Sequence, residues 1–195
     1  MWTFEQIARQ KGYSIIAGID EAGRGPLAGP VVAAAVILGE DFSVNEIKDS
    51  KQLSSSKRSR LHDDIHLHAY EIGVGMVSHE KIDEINILQA ARLSMLNAVT
   101  QLKTSPEYLL IDGINPIETE LPQETIKKGD QRSISIAAAS IIAKVERDRI
   151  MSKYALDYPE YGFDQHKGYP TRQHREAIKK YGICPIHRKT FKGCN

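Results

Sequence analysis

Apolar positions along the chain fall into short runs and longer periodic stretches, and the change in spacing marks the elements. Residues 14–19 read as a strand ending at Asp20, and residues 30–38 as a second, fully apolar strand. A loop carrying Gly23, Gly25 and Gly29 joins them. Residues 54–70 have helical character, with Ser54 placed to cap the first turn. Residues 71–77 alternate loosely and contain two glycines, which fits a third strand. Strands this close in sequence are expected to pair as antiparallel neighbours. Ser78 then caps a helix predicted over 81–102, where Ile82, Ile85, Leu88, Leu93, Leu96 and Val99 recur near helical spacing. A short strand over 108–111 ends at Asp112-Gly113, and 115–129 reads as irregular. From Ser133 the pattern predicts a further helix of about 20 residues. Its first part, 134–145, is apolar nearly all round and should be buried; 146–149 is charged and should emerge into solvent. A last helix runs from the capping residue Thr171 to about Tyr181. Strands first, then mixed strand and helix, predict an α/β layer fold.

With 195 residues and no repeat, low-complexity tract or linker, one domain is expected over 1–195. No apolar run approaches the roughly 20 residues of a membrane span. Residues 1–12 lack an apolar signal-peptide core, which speaks against secretion. The two cysteines, Cys184 and Cys194, form no disulfide framework and suit a reducing cytoplasm, the expected location. With His187 they make a conceivable zinc set. A fourth ligand is missing and the spacing fits no standard finger, so incidental thiols are the reading taken. A monomer is the default expectation.

The net charge of +1 conceals an asymmetry. Residues 165–195 carry Lys167, Arg172, Arg175, Lys179, Lys180, Arg188, Lys189 and Lys192 against a single acid, Glu176, a balance of +7 that leaves −6 for residues 1–164. A basic C-terminal segment on an acidic body suggests a polyanion partner. Charge alone leaves a solvated helix face equally open. His166, His174 and His187 lie among these residues and are expected at backbone phosphates rather than in acid–base roles.

Asp20 and Glu21, Asp112, and Asp130 each lie just beyond an apolar strand or directly before the buried helix. Strand ends converging on one sheet edge are common site positions in α/β folds. Carboxylates gathered there would repel and their pKa values rise, and a divalent cation relieves the repulsion. Oxygen ligands without histidine or cysteine select Mg²⁺ or Mn²⁺. Two ions about 4 Å apart can activate water and stabilise the leaving oxygen in phosphodiester hydrolysis. Ordinary roles compete: Asp130 as a helix cap, Asp112-Gly113 as a turn. The loop Ala22-Gly23-Arg24-Gly25-Pro26-Leu27-Ala28-Gly29-Pro30 tips the balance, because its glycines bring backbone close to a ligand and Arg24 sets a guanidinium beside the acids. Backbone at that range suits a sugar hydroxyl, and the arginine a phosphate. Tyr169, between Gly168 and Pro170, either stacks on a sugar or base or plugs the core. Lys51 is a candidate phosphate contact.

The run from Asp20 to Val31 resembles the signature of the bacterial ribonuclease HII (type 2 ribonuclease H) family. Later blocks follow in the family's order: Asp49-Ser50-Lys51-Gln52-Leu53, Ile111-Asp112-Gly113, Lys128-Gly129-Asp130, the SIAAASIIAKV stretch over 135–145, and His166-Lys167-Gly168-Tyr169-Pro170-Thr171. The tail has Thr190 where the family more often has serine. The resemblance implies a ribonuclease H-like fold, a central mixed five-stranded sheet flanked by helices, with a C-terminal helical extension at about 165–195. It further implies metal-dependent cleavage 5′ to a ribonucleotide, in RNA/DNA hybrids or in duplex DNA with embedded ribonucleotides, leaving 5′-phosphate and 3′-OH ends. Asp20, Glu21, Asp112 and Asp130 would be the catalytic metal ligands, in a two-metal site taking Mn²⁺ or Mg²⁺. Gly23, Arg24 and Gly25 would read the 2′-OH, and Tyr169 would pack on the following deoxyribose. Two other readings compete. A non-catalytic nucleic-acid-binding module gives the carboxylates no role, and ribonuclease HIII usually carries an N-terminal domain for which this length leaves no room.

Overall fold

The structure, a computed structural model, describes residues 1–40, 42, 43, 47 and 54–194. The block 49–53, with the candidate Lys51, lies outside the described residues. Five strands form one mixed sheet: β1 (Ile16–Ala22), β2 (Val31–Ile37), β3 (Glu71–Val77), β4 (Tyr108–Asp112) and β5 (Gln123–Ile126), in the order β3-β2-β1-β4-β5. The first three pair antiparallel, whereas β1–β4 and β4–β5 are parallel. The helices are α1 (Thr3–Gln10), α2 (Ser55–His68), α3 (His79–Thr100), α4 (Ile134–Asp157), the single turn α5 (Phe163–His166) and α6 (Arg172–Tyr181). Ser54, Ser78, Ser133 and Thr171 cap α2, α3, α4 and α6, each side-chain oxygen accepting from the backbone N–H three residues on, at 3.2–3.4 Å.

Both faces of the sheet are covered, so β2 is apolar at every position and fully buried. On one face Ala34 and Val36 pack with Ala137 and Ile141 of α4; on the other Ala33 and Ala35 meet Met95 and Ala98 of α3. Burying an Ile or Leu in such a layer contributes roughly 1.5–3 kcal/mol. Gly18 sets how close α4 lies: a Cβ there would fall 2.2 Å from the Ser135 carbonyl carbon. Two residues further along the same face of β1 is Asp20, so this contact also brings α4 over the acid.

The structure departs from the sequence pattern at five places. α1 was not expected, and β5 lies inside the stretch read as irregular. α3 is broken at Asn86 (φ 65°), whose side chain accepts from the N–H groups of Leu88 and Gln89 and so restarts the helix. The charged part of α4 does not simply emerge into solvent, since Arg147 and Met151 are fully buried. The C-terminal tail folds back on the β1–β2 loop: Gly29 N–H donates to Ile186, Arg188 N–H to Leu27, and Leu27 N–H to Gly168. Thr190 and Lys189 fasten the tail to Asp83 of α3, and the Thr190 hydroxyl donates to that carboxylate at 2.6 Å.

Candidate active site

β1 and β4 run parallel with Ile19 opposite Ile111, so the next residues, Asp20 and Asp112, leave the same sheet edge side by side. Asp20, Glu21 and Asp112 line a cavity of about 380 Å³, together with Gly23, Arg24, Gly25 and Tyr169. Asp20 faces α4, and its Oδ1 accepts from the N–H of Glu21 at 2.7 Å. Asp112 Oδ1 accepts from the Gly129 N–H at 2.6 Å. Asp130 stands next to Gly129 in a single 3₁₀ turn, fully buried, and does not line the cavity.

Burial lifts the Asp20 carboxyl well above its ordinary range, and the charges of Glu21 and Asp112 add to the rise; a hydrogen bond from Ser140 opposes it. Glu21 is also raised by burial, against the pull of Arg24, whose Nη1 donates to Glu21 Oε1 at 3.1 Å. Glu21 Oε2 is buried and accepts no hydrogen bond among the described residues. Crowded, desolvated carboxylates with an unused buried oxygen fit a divalent cation, and an all-oxygen donor set suits a hard one.

The glycine loop is held from inside by two arginines. Gly23 adopts φ +103°, and a Cβ there would lie 2.1 Å from Arg147 Nε, so only glycine fits. Arg147 donates to the carbonyls of Pro30, Ala28 and Lys167. Arg188, fully buried, donates to those of Gly23, Arg24, Pro26, Gly29 and Pro30. Arg188 therefore belongs to the site's scaffold and not to a phosphate-facing tail. Tyr169 is no core plug: it is 39% exposed, its ring 3.7 Å from where a Gly25 Cβ would lie and beneath the Lys144 ammonium.

The three tail histidines are likewise inside. His187 Nδ1 accepts from the Cys184 N–H, which leaves its Nε2–H to donate to His174 Nε2 at 3.0 Å, and His174 Nδ1–H donates to the Tyr169 carbonyl. His166 stacks on His174 and donates through Nε2 to the Tyr161 carbonyl. These rings support Tyr169 from below and do not reach solvent phosphate. Cys184 Sγ rests 3.1 Å from His187 Nδ1, while Cys194 Sγ donates to the Leu27 carbonyl.

Arg58, Ser140 and Lys144 also line the cavity and were not singled out from the sequence. Ser140 and Lys144 lie one turn apart on α4. A polar pair at that spacing in a helix otherwise apolar nearly all round is a signal that was available.

The fold and site together define a ribonuclease H-like nuclease: a mixed five-stranded sheet between helices, with acids at the ends of adjacent parallel strands. A family model described as Ribonuclease HII matches residues 17–194. The chain is 56% identical over 193 residues to ribonuclease HII of Geobacter metallireducens, covering 99% of this chain and 91% of that one. It is 61% identical over 181 residues to ribonuclease HII of Leuconostoc mesenteroides, covering 93% and 71%. Among solved structures it resembles ribonuclease H2 of Pyrococcus horikoshii (TM-score 0.76, 30% identity, 93% and 95% of the two chains). It also resembles RNase HII of Archaeoglobus fulgidus, determined in a complex with PCNA (TM-score 0.79, 30% identity, 92% and 96%). The chain belongs to the ribonuclease HII family, and it is a ribonuclease H, an endonuclease acting on RNA in hybrids. No helix among the described residues is long and apolar enough to cross a membrane.

Proposed function

We propose that this ribonuclease H hydrolyses the phosphodiester 5′ to a ribonucleotide, in RNA/DNA hybrids and in duplex DNA with embedded ribonucleotides, leaving 5′-phosphate and 3′-OH ends. The observation that carries this reading is the meeting of Asp20, Glu21 and Asp112 with Gly23, Arg24, Gly25 and Tyr169 around one cavity. Asp20, Glu21 and Asp112 hold Mg²⁺ or Mn²⁺ there, and Asp130 joins the set through the turn that carries Gly129 behind Asp112. Two such ions, when bound, supply an acidified water and charge compensation at the leaving oxygen.

The chain's own residues do the rest. Ser140 fixes the Asp20 carboxylate. Gly23 and Gly25 offer bare backbone to the ribose 2′-OH, and Arg24, oriented by Glu21, faces a phosphate. Tyr169 lays its exposed ring against the neighbouring deoxyribose. Lys144 and Arg58 add positive charge along the cavity wall, and Lys51, outside the described residues, is kept as a further candidate phosphate contact on its place in the sequence. In the reaction the water oxygen joins phosphorus, the bond to the 3′ oxygen breaks, and a proton ends on that oxygen. We read the chain as one domain, acting as a monomer in the cytoplasm and serving ribonucleotide excision repair, in keeping with its two free thiols.

The test is cleavage of a DNA duplex with one embedded ribonucleotide, with Mg²⁺, with Mn²⁺ and with chelator. Products ending 3′-OH at the deoxynucleotide before the ribose are expected only with metal. Binding without cutting in either metal, or a cut on the 3′ side of the ribose, overturns the reading.

A further inference from the structure

Far from the carboxylates in chemical character is a second cluster, between α2 and α4. His62 and His66 lie one helical turn apart on α2, with ring centroids 4.5 Å apart, and Glu146 reaches toward them from α4. One ligand atom from each of the three lies within 4.8 Å of the others. Two imidazoles and one carboxylate are a zinc donor set with one position left for water, whereas the all-oxygen cavity suits harder ions.

The contacts of His62 sharpen this. Its Nδ1 is 3.0 Å from Asp63 Oδ1 and its Nε2 is 2.9 Å from Glu146 Oε1. A neutral ring has a single N–H and donates to one of these oxygens only; in that form the other nitrogen and oxygen are two acceptors face to face, and a cation beside them satisfies both. Arg149 supplies it here: its Nη1 is 2.8 Å from Glu146 Oε1 and 3.3 Å from His62 Nε2. The guanidinium thus stands where a cation belongs, on a half-exposed side chain that also lies 3.8 Å from Asp63 Oδ1. Asp63, holding the other ring nitrogen, is the outer carboxylate that orients a metal-bound histidine.

The geometry points to a second metal site, taking a borderline divalent ion of the zinc class through His62, His66 and Glu146, with Arg149 displaced on binding. Because α2 also carries Arg58 and α4 carries Lys144, an ion there would clamp two walls of the catalytic cavity together.

The probe is Zn²⁺ alone, titrated calorimetrically into the chelator-treated full chain with Mg²⁺ in excess to occupy the carboxylates. One Zn²⁺ per chain is expected. His66→Ala, an exposed substitution, should weaken it about a hundred-fold, and Glu146→Gln similarly. Asp63→Asn should weaken it about ten-fold. Arg149→Ala should tighten it, and Mn²⁺ binding at the carboxylates should be unchanged in His66→Ala. Equal Zn²⁺ affinity in wild type and His66→Ala overturns the site, and unaltered or weaker binding in Arg149→Ala overturns the displacement.

Discussion

Arg188 donates through Nη2 to the carbonyl oxygen of Gly23 at 2.6 Å, across 165 positions of sequence. The same guanidinium serves four further carbonyls of the loop, of which that of Pro30 is shared with Arg147. Burial, and then the charge of Arg147, push Arg188 down to about 9, so it stays charged at neutral pH. A planar fork with five N–H groups suits this cradle, and an ammonium does not. The glycine loop that lines the cavity is therefore shaped by the C-terminal tail.

Replacing Arg188 with lysine should accordingly cost on the order of 3 kcal/mol of stability, since several buried carbonyls lose their donor. Activity at a single ribonucleotide should fall further than stability explains, because Gly23 and Gly25 lose their fixed backbone. Urea unfolding beside kcat/KM measures both. A midpoint close to wild type would show that Arg147 alone holds the loop.

Such a role was hidden in the sequence for a physical reason. Charge usually marks exposure, and Arg147 and Arg188 look like solvent residues until the carbonyls of the β1–β2 loop arrive from 117–165 positions away. The helices α2, α3, α4 and α6 were legible because apolar spacing and capping residues are local, as with Ser133 and Thr171. β5 was not, since a single residue of its four is buried and leaves no alternation to read. The acids at the ends of β1 and β4 could be suspected from strand ends, but only the pairing of Ile19 with Ile111 puts Asp20 beside Asp112.

Asp20→Asn should abolish turnover, by on the order of a thousand-fold or about 4 kcal/mol, while the chelated protein melts higher at neutral pH. The sign follows from the raised carboxyl. A group whose folded pKa exceeds its unfolded value stabilises the fold below the unfolded value and loses that contribution as pH rises through the folded one. Apo stability should therefore decline as pH climbs from Asp20's ordinary 3.8 through its raised value, and Mg²⁺ should restore it at neutral pH. Calorimetric melts with and without metal, paired with the cleavage assay, check this. Near-normal turnover in Asp20→Asn would end the metal assignment.

The histidines beneath Tyr169 should give the opposite slope. Burial, with His166 and His187 adding, depresses His174 to about 4 from 6.5, so the folded state keeps it neutral. Stability tied to that neutral ring is lost as pH falls from 6.5 toward 4. His174→Gln should flatten this part of the stability–pH curve and loosen Tyr169, whose carbonyl accepts from His174 Nδ1. Thermal melts across that range decide it. An unaltered slope in the variant would place the titration elsewhere, at His166 or His187.

Removing the residues after Tyr181 is not a clean test of the basic segment, because the cut takes Arg188 and the backbone contacts of Ile186 with it. The exposed charges of α6 offer a better one. Arg175 and Lys179 flank a shallow cavity with Pro170, next to Tyr169, whose lining includes no residue of the glycine loop. If this face follows the duplex backbone, each charge displaces a counterion when bound. Arg175→Ala with Lys179→Ala should then reduce the slope of log K against log salt by about two, with kcat at saturating substrate unchanged. An unaltered slope with normal affinity would mean that these charges only solvate the helix.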